Sequence, residues 1–370
     1  MSWNLEEIYK ALDKKFEHIE NIEFQKISID SRKISANDFF IPIVGKKYDG
    51  HDFISDVSDF GVKACLVENK KNYKIKNSSI HKIFVKNTLE SLQKLATYAR
   101  KKNKSLHMIC ITGSSGKTSL KEWTGKILQK RVNTYFNPGN FNNEIGMPLS
   151  LVNMPINTKV CILELGMNSK GEIRKLTKIA SPTISIITNI GLAHVGNFNE
   201  PKDIAREKAS IYDSLNEESF ALIPNDSPYS KLLIKRATSK TQNIVLFGTE
   251  ENSDSSFNKI KENKFIFSIF GKKVSLTKKN YFKHWEENSL IILIILNILK
   301  FNLVDFKKSI ENLKPLNGRG EKIKIFKNKK TFFLIDETYN SSPHTLEHAI
   351  LNANKILKKH KKQLQNRSLV

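Results

Sequence analysis

One stretch constrains this chain more than any other: Leu106-His107-Met108-Ile109-Cys110-Ile111-Thr112-Gly113-Ser114-Ser115-Gly116-Lys117-Thr118-Ser119. An apolar run of strand length ends in a Gly/Ser turn. Gly-Lys-Thr follows, and then a segment with helical periodicity at Leu120, Trp123, Ile127 and Leu128. That order builds a phosphate cradle running from Thr112 to Ser119. Gly113 and Gly116, with Ser114 and Ser115 between them, let backbone N–H groups turn inward, and the helix N-terminus behind adds partial positive charge. Lys117 would reach the β- and γ-phosphates, and the Thr118 hydroxyl would hold Mg²⁺. The general pattern places a glycine five residues before Gly116, where this chain has Ile111, so the loop is a shortened variant. The expectation is a nucleoside triphosphate site.

The segments around the loop alternate strand and helix, which predicts an α/β fold: a parallel sheet with helices on both faces. Strands are expected at 106–112, 132–135, 159–165, 183–188, 219–223 and 243–247. Phe265–Phe270 and Lys273–Thr277, joined across Gly271, read as a hairpin attached to that sheet. A buried helix over 287–300 and a shorter one over Val304–Leu313 close the domain. Residues 1–103 read as a small α/β domain with helices near Leu5–Leu12, His51–Phe60 and Thr88–Arg100. The first helix leads to the segment Phe24–Ile29, and the expected strands are Phe39–Val44 and Lys63–Val67. Polar Lys101–Ser105 links the two. The expected domains are thus 1–103, 104–315 and 316–370.

A length of 370 residues fits two or three domains. The net charge of +24 invites a nucleic-acid reading. However, the lysines spread along the whole chain beside Asn and Ile, and no zinc-finger, homeodomain or RRM pattern is present. A solvated basic surface accounts for them, and no nucleic-acid partner is expected. Cys65, Cys110 and Cys161 each sit inside an apolar run without metal-ligand spacing, as small core residues in a reducing compartment. Met1–Glu7 lacks a basic region followed by an apolar one, so no signal peptide is expected. The run Leu290–Leu299 is too short to span a bilayer. A cytoplasmic, monomeric protein without stable membrane insertion is the expectation.

Three constellations fall where strands end, the place where open α/β sheets bind ligands. Glu164 closes the apolar strand Cys161-Ile162-Leu163, and a carboxylate buried there needs a cation, with Mg²⁺ the obvious one. Asn189 and His194 follow the strand Ile186-Ile187-Thr188; taken alone, such a histidine is more often structural. Lys208 lies near the apolar stripe of Ile204, Ile211 and Leu215, where snorkelling is the ordinary explanation. In the N-terminal part, Asp30-Ser31-Arg32 reads either as a capped turn or as a grip on an anionic group such as a diphosphate.

In this order the motifs resemble the Mur ligase family of ATP-dependent amide-forming enzymes, from about Ile27 to Leu346. The N-terminal signature reads Asp30-Ser31-Arg32, Asp38-Phe39-Phe40, Gly45 and Asp49-Gly50-His51-Asp52-Phe53-Ile54. The family's phosphate loop has the same shortened form. Asn140–Leu149, Glu164-Leu165-Gly166-Met167 and Gly171-Glu172-Ile173 are similar to the branch that uses UDP-N-acetylmuramoyl-tripeptide and D-alanyl-D-alanine. His284 and Asn288 keep the spacing of an adenine-side His-x-x-x-Asn motif. Asn317-Gly318-Arg319 and Asp336-Glu337-Thr338-Tyr339-Asn340 resemble the signatures that open the third domain, with Glu337, Ser341 and Ser342 as departures.

The resemblance implies a peptidoglycan-precursor ligase. A peptide carboxylate attacks the γ-phosphate of ATP to give an acyl phosphate and ADP, and the amine of D-alanyl-D-alanine then displaces phosphate. It implies catalytic roles for Lys117, His194 and Lys208, and nucleotide contacts at Asn143, Asn288, Arg319 and Asp336 besides the loop. Mg²⁺ would sit at Thr118 and Glu164. A second ion would sit at His194 and at Lys208, the latter carrying a carbamate as in relatives. UDP-sugar contacts would fall at Ser31, Arg32, Gly45, Asp49 and His51.

The family also implies a complete Rossmann-like third domain, whereas only residues 344–370 follow Pro343. The expectation is therefore only the start of that domain, with Thr331–Ile335 as a lone strand lacking its sheet. A ligase, a nucleotide- and UDP-sugar-binding fragment that cannot complete catalysis, another member of the family, and a P-loop ATPase acting on nucleic acid are the readings that follow.

Overall fold

The computed structural model describes residues 2–17, 20–69, 79–191, 197–198, 200–279, 284–327, 330–339, 346, 350–351, 353–354 and 357. Its N-terminal part opens with a two-residue strand pair, β1 (Trp3–Asn4) with β2 (Glu23–Phe24), around helix α1 (Leu5–Ala11). A four-stranded parallel sheet follows in the order β3 (Lys26–Ser28), β4 (Asp38–Phe40), β5 (Ala64–Glu68), β6 (His81–Val85). Helices α2 (Ile54–Asp59) and α3 (Thr88–Lys102) belong to the same part. Strand β6 escaped the sequence reading, and β4 is shorter than the expected Phe39–Val44.

The central part comprises β7 (His107–Thr112), α4 (Lys117–Leu128), β8 (Thr134–Phe136), α5 (Gly146–Val152), β9 (Val160–Glu164), α6 (Glu172–Ala180), β10 (Ile184–Ile187) and α7 (Pro201–Ala209). It continues through β11 (Phe220–Pro224), α8 (Ser230–Thr238), β12 (Ile244–Gly248), β13 (Ser255–Lys261), β14 (Lys264–Ile269) and β15 (Lys272–Thr277) to helices α9 (Trp285–Ile298) and α10 (Lys307–Glu311). One nine-stranded sheet results, in the order β15-β14-β13-β12-β11-β10-β7-β9-β8. It is parallel from β8 to β13 and antiparallel from β13 to β15. The expected hairpin is present, and β13, unread in the sequence, joins it to the parallel strands. The expected helix over Val304–Leu313 is instead a 3-10 turn at Leu303–Phe306 followed by α10.

Strand β7 shows why its run is apolar throughout. Met108 and Cys110 face one core and Ile109 and Ile111 the other, because alternate side chains point to opposite faces and both faces are covered. On one side lies α9, where all side chains from Leu290 to Leu296 are fully buried, each contributing about 1.5–3 kcal/mol relative to exposure. This run is a core helix, and among the described residues no helix is long and apolar enough to cross a membrane. All three cysteines are buried and free. On the other side, α3 packs against α5 and α6. Its buried Arg100 donates to the carbonyls of Ala180 (2.9 Å) and Ser181 (3.0 Å) at the end of α6. Trp3 donates to the Val152 carbonyl (2.8 Å), and the Asn153 amide pairs with both Ile27 N–H and Ile27 C=O (2.9 Å each).

The expectation of a lone strand at Thr331–Ile335 is corrected. It lies within β17 (Lys330–Asp336), which pairs antiparallel with β16 (Glu321–Lys327) along its whole length. The missed strand alternates Lys322, Ile323, Lys324 and Ile325, a period of two that marks a half-exposed strand and lacks the continuous apolar run of the buried strands. The pairing satisfies the inward backbone groups of this two-stranded ribbon and leaves Phe326, Phe332 and Leu334 exposed.

Candidate active site

The register brings three strand ends level: Thr112 lies opposite Ile187, and Glu164 opposite Ile111. The loop after β7 meets the segment after β10. Gly113 has φ +150°, and a Cβ there would stand 1.9 Å from Thr188 Oγ1, so only glycine fits. Thr188 Oγ1 donates to the Ser115 carbonyl (2.7 Å), and Asn189 Oδ1 accepts from Ser115 N–H (3.0 Å). Ser114 Oγ donates to the Gly191 carbonyl (3.0 Å) and accepts from Gly191 N–H (2.8 Å). Gly116, at φ +80°, caps α4. Side chains from the segment after β10 thus hold the loop in its cradle shape.

Two lysines converge on one carbonyl. Lys117 Nζ donates to Gly113 O at 2.7 Å and Lys208 Nζ at 3.0 Å. Burial pulls the Lys117 ammonium below its usual 10.5, opposed by the nearby Glu164 charge and assisted by Arg319. Lys208 falls well below 10.5, chiefly through burial and then through the charge of Lys117. With 1% exposure Lys208 does not snorkel: it points inward from α7 into the loop.

Glu164, 3% exposed, closes the other flank. Its Oε2 accepts from Thr118 Oγ1 (2.7 Å) and its Oε1 from Asn142 Nδ2 (2.9 Å), while Asn137 Oδ1 accepts from its backbone N–H (3.0 Å). Arg319 Nη2 donates to Thr118 Oγ1 (3.0 Å) and stacks its guanidinium 4.1 Å from the Tyr339 ring centre. The donor set here is a hydroxyl and one carboxylate, both hard oxygens. It suits Mg²⁺, which takes few protein ligands and completes its shell with phosphate oxygens and water. Among the described residues no group of three or more His, Cys, Asp or Glu could hold a metal by itself.

The other expected residues divide. Asn288, 1% exposed, lies beside Gly116, and its Nδ2 has no hydrogen-bond partner among the described residues. Asn143 lies in the turn before α5, its Oδ1 accepting from Gly146 N–H (2.8 Å). Asp336 accepts from Thr338 N–H (3.0 Å) and Oγ1 (2.6 Å), which hold its carboxyl below its usual 3.8. His194 lies outside the described residues. Asn137 and Asn142 went unassigned in the sequence reading; their signal was the asparagine-dense stretch after β8, Asn137-Pro138-Gly139-Asn140-Phe141-Asn142-Asn143.

In the N-terminal part, Ser31 begins a short 3-10 turn that Asp30 caps, and Arg32 forms a two-pronged pair with the Asp30 carboxylate (2.8 and 2.9 Å). Gly45 N–H donates to Tyr48 O (2.9 Å) in a turn. His51 is buried: Nδ1 meets Asp49 Oδ1 (2.6 Å), and Nε2 accepts from Glu68 N–H (3.1 Å). Both ring nitrogens of His51 are therefore engaged within the fold.

The chain is similar to known proteins in sequence and in fold. Residues 23–100 match the family model described as "Mur ligase family, catalytic domain", and residues 111–296 match "Mur ligase middle domain". The UDP-N-acetylmuramoyl-tripeptide–D-alanyl-D-alanine ligase of Rickettsia prowazekii is 31% identical over 95% of this chain and 77% of its own length. The Bacillus subtilis enzyme of the same name is 30% identical over 88% and 69%. A crystal structure of MurF from Acinetobacter baumannii superposes with a TM-score of 0.85 at 27% identity, covering 95% of this chain and 77% of that one. MurF ligase from Thermotoga maritima in complex with ADP gives 0.74 at 26% identity, over 88% and 74%. With two family models spanning its first two parts and relatives matched along most of their lengths, the chain belongs to the Mur ligase family.

Proposed function

We propose that this chain is an ATP-dependent, ADP-forming ligase of peptidoglycan precursor synthesis that joins D-alanyl-D-alanine to UDP-N-acetylmuramoyl-tripeptide. The observation that carries the reading is the preformed short phosphate loop, with a carboxylate on Thr118 at one flank and a second buried lysine beside Lys117 at the other. The relatives' names supply the substrates.

In this reading the peptide carboxylate attacks the γ-phosphate, ADP leaves, and the amine of D-alanyl-D-alanine attacks the resulting acyl phosphate, releasing phosphate. Thr112 to Ser119 cradle the phosphates. Lys117 leaves Gly113 O for the transferring phosphoryl group, whose charge it stabilises at a dry site. Arg319 lies against the same hydroxyl from the hairpin side. Asn288 offers its unpaired amide on the nucleotide's adenine side, with Asn143 and Asp336 as further nucleotide contacts.

Thr118 and Glu164 would hold Mg²⁺, which supplies charge neutralisation across the phosphates. The depressed Lys208 amine is the form that reacts with CO₂, and as a carbamate it would become an oxygen donor for a second Mg²⁺ with His194. Ser31, Arg32, Gly45, Asp49 and His51 form the UDP-sugar end, His51 by holding Asp49. Units 1–103 and 104–315 would be the UDP-sugar and ATP domains of a cytoplasmic monomer, and 316–370 only the incomplete start of the third domain.

The test is phosphate release from MgATP with UDP-N-acetylmuramoyl-tripeptide, with and without D-alanyl-D-alanine. Release that requires both, with a pentapeptide product, is expected. Absence of UDP-N-acetylmuramoyl-tripeptide binding by calorimetry would overturn the substrate assignment. Binding without turnover would reduce the chain to a binding unit.

A further inference from the structure

Lys121, in α4 one turn beyond Lys117, is 0% exposed and is used by none of the steps above. A buried ammonium is tolerated only when its protons are taken. Here Nζ donates to Asn137 O (2.5 Å) and Gly139 O (2.9 Å) and pairs with Glu122 Oε1 (3.2 Å).

Two carbonyls so close in sequence can meet one Nζ only if the loop curls around it, and Gly139 takes φ +51° to allow this. The curl turns the buried Asn137 side chain toward β9. There Oδ1 accepts from Glu164 N–H (3.0 Å), while Nδ2 donates to Phe141 O (2.7 Å). The next residue, Asn142, then reaches Glu164 Oε1 (2.9 Å), at a place where a Cβ on Gly166 would lie 2.9 Å from Asn142 Cγ. Glu164 is thereby left with one oxygen for Asn142 and the other for Thr118.

We infer that Lys121 is a positioning residue: through the 137–142 loop it sets the carboxylate of Glu164 against Thr118, and so tunes how the nucleotide's divalent cation is held. A methionine would fill the same volume without the directional hold on two carbonyls. The inference rests on the proposed nucleotide site and names a residue outside it.

The test measures ADP affinity by calorimetry, with Mg²⁺ and with EDTA, for the parent chain, Lys121→Met and Lys121→Gln. Circular dichroism checks each fold. Loss of an outer support of this kind predicts that Lys121→Met weakens ADP binding about tenfold with Mg²⁺ and less than about twofold with EDTA. Lys121→Gln, which keeps an amide donor, should fall between parent and Met. Equal weakening in both conditions, no weakening in either, or failure of both variants to fold would make Lys121 a plain staple and overturn the inference alone. A parent chain that binds no ADP would overturn the nucleotide site and the inference with it.

Discussion

Two polar clusters of this chain are built on opposite plans. At the phosphate loop the partners come from distant segments: Ser115 with Thr188 and Asn189, Thr118 with Glu164 and Arg319, Gly113 with Lys208. In the N-terminal part Asp30 pairs with Arg32 and Asp49 with His51, each two residues apart. The first cluster is held by the sheet, whose register sets every strand end, and most of its members are buried. The second cluster's exposed half is local, and the Arg32 side chain is 84% exposed. A network closed over long range is organised before its ligand arrives, because moving one member means moving a strand. A local surface pair can exchange its partner for an incoming anion by one rotamer change.

The strongest way to break this contrast is Gly113→Ala. The added methyl meets Thr188 Oγ1 at 1.9 Å in a backbone conformation that alanine avoids. The expected result is loss of ADP binding and about 2–4 kcal/mol of stability, read by calorimetry and urea unfolding. Unchanged ADP affinity would mean the loop is not held as a unit. Lys117→Ala should leave the chain folded and lower turnover about 10²–10³-fold, the scale for removing one preorganised charge donor. A fall in stability as large as the fall in turnover would recast Lys117 as a structural residue.

Asn153→Ala probes the seam between the two clusters. It strips partners from Ile27 N–H and C=O on edge strand β3, three residues before Asp30, and should cost about 1–2 kcal/mol. Steady-state kinetics should show a raised KM for the UDP substrate and an unchanged KM for ATP. Equal shifts in both would show that the clusters behave as one.

The smallest effect on stability is expected for Arg32→Ala, which should lower the thermal midpoint only slightly at neutral pH, as for any exposed pair, while weakening the UDP substrate. The Arg32 hydrogen bond holds Asp30 below its usual 3.8, so the pair's support is complete above that value and is lost as pH falls through the depressed one. Arg32→Ala should therefore flatten the acid limb of stability slightly. A steeper acid limb in the variant would contradict that sign.

The same contrast sorts what could be read in advance. The phosphate loop, six strands of the parallel sheet and the buried cysteines followed from local pattern. Strand β13 and strand β16 did not, because β13 is mostly polar and neither carries the continuous apolar run that marks the buried strands. Asn137 and Asn142 carried no role of their own in the sequence: asparagines after a strand read as turn formers, and only their approach to Glu164 gives them another. His51 stood in a motif that pointed to ligand, yet its ring serves Asp49 and the backbone of β5.

By itself the sequence determined the strand–helix alternation of the central part, the phosphate-loop motif and the family, since each depends on residues adjacent in the chain or at fixed short spacing. Tertiary structure alone decided that Lys208 and Lys117 share the Gly113 carbonyl, that Glu164 rests on Thr118, and that a buried Lys121 shapes the loop between them. Those contacts join residues brought together by parallel pairing of β10, β7, β9 and β8. Burial then decides what each charge can do, because a lysine without water must find carbonyls, carboxylates or a lost proton.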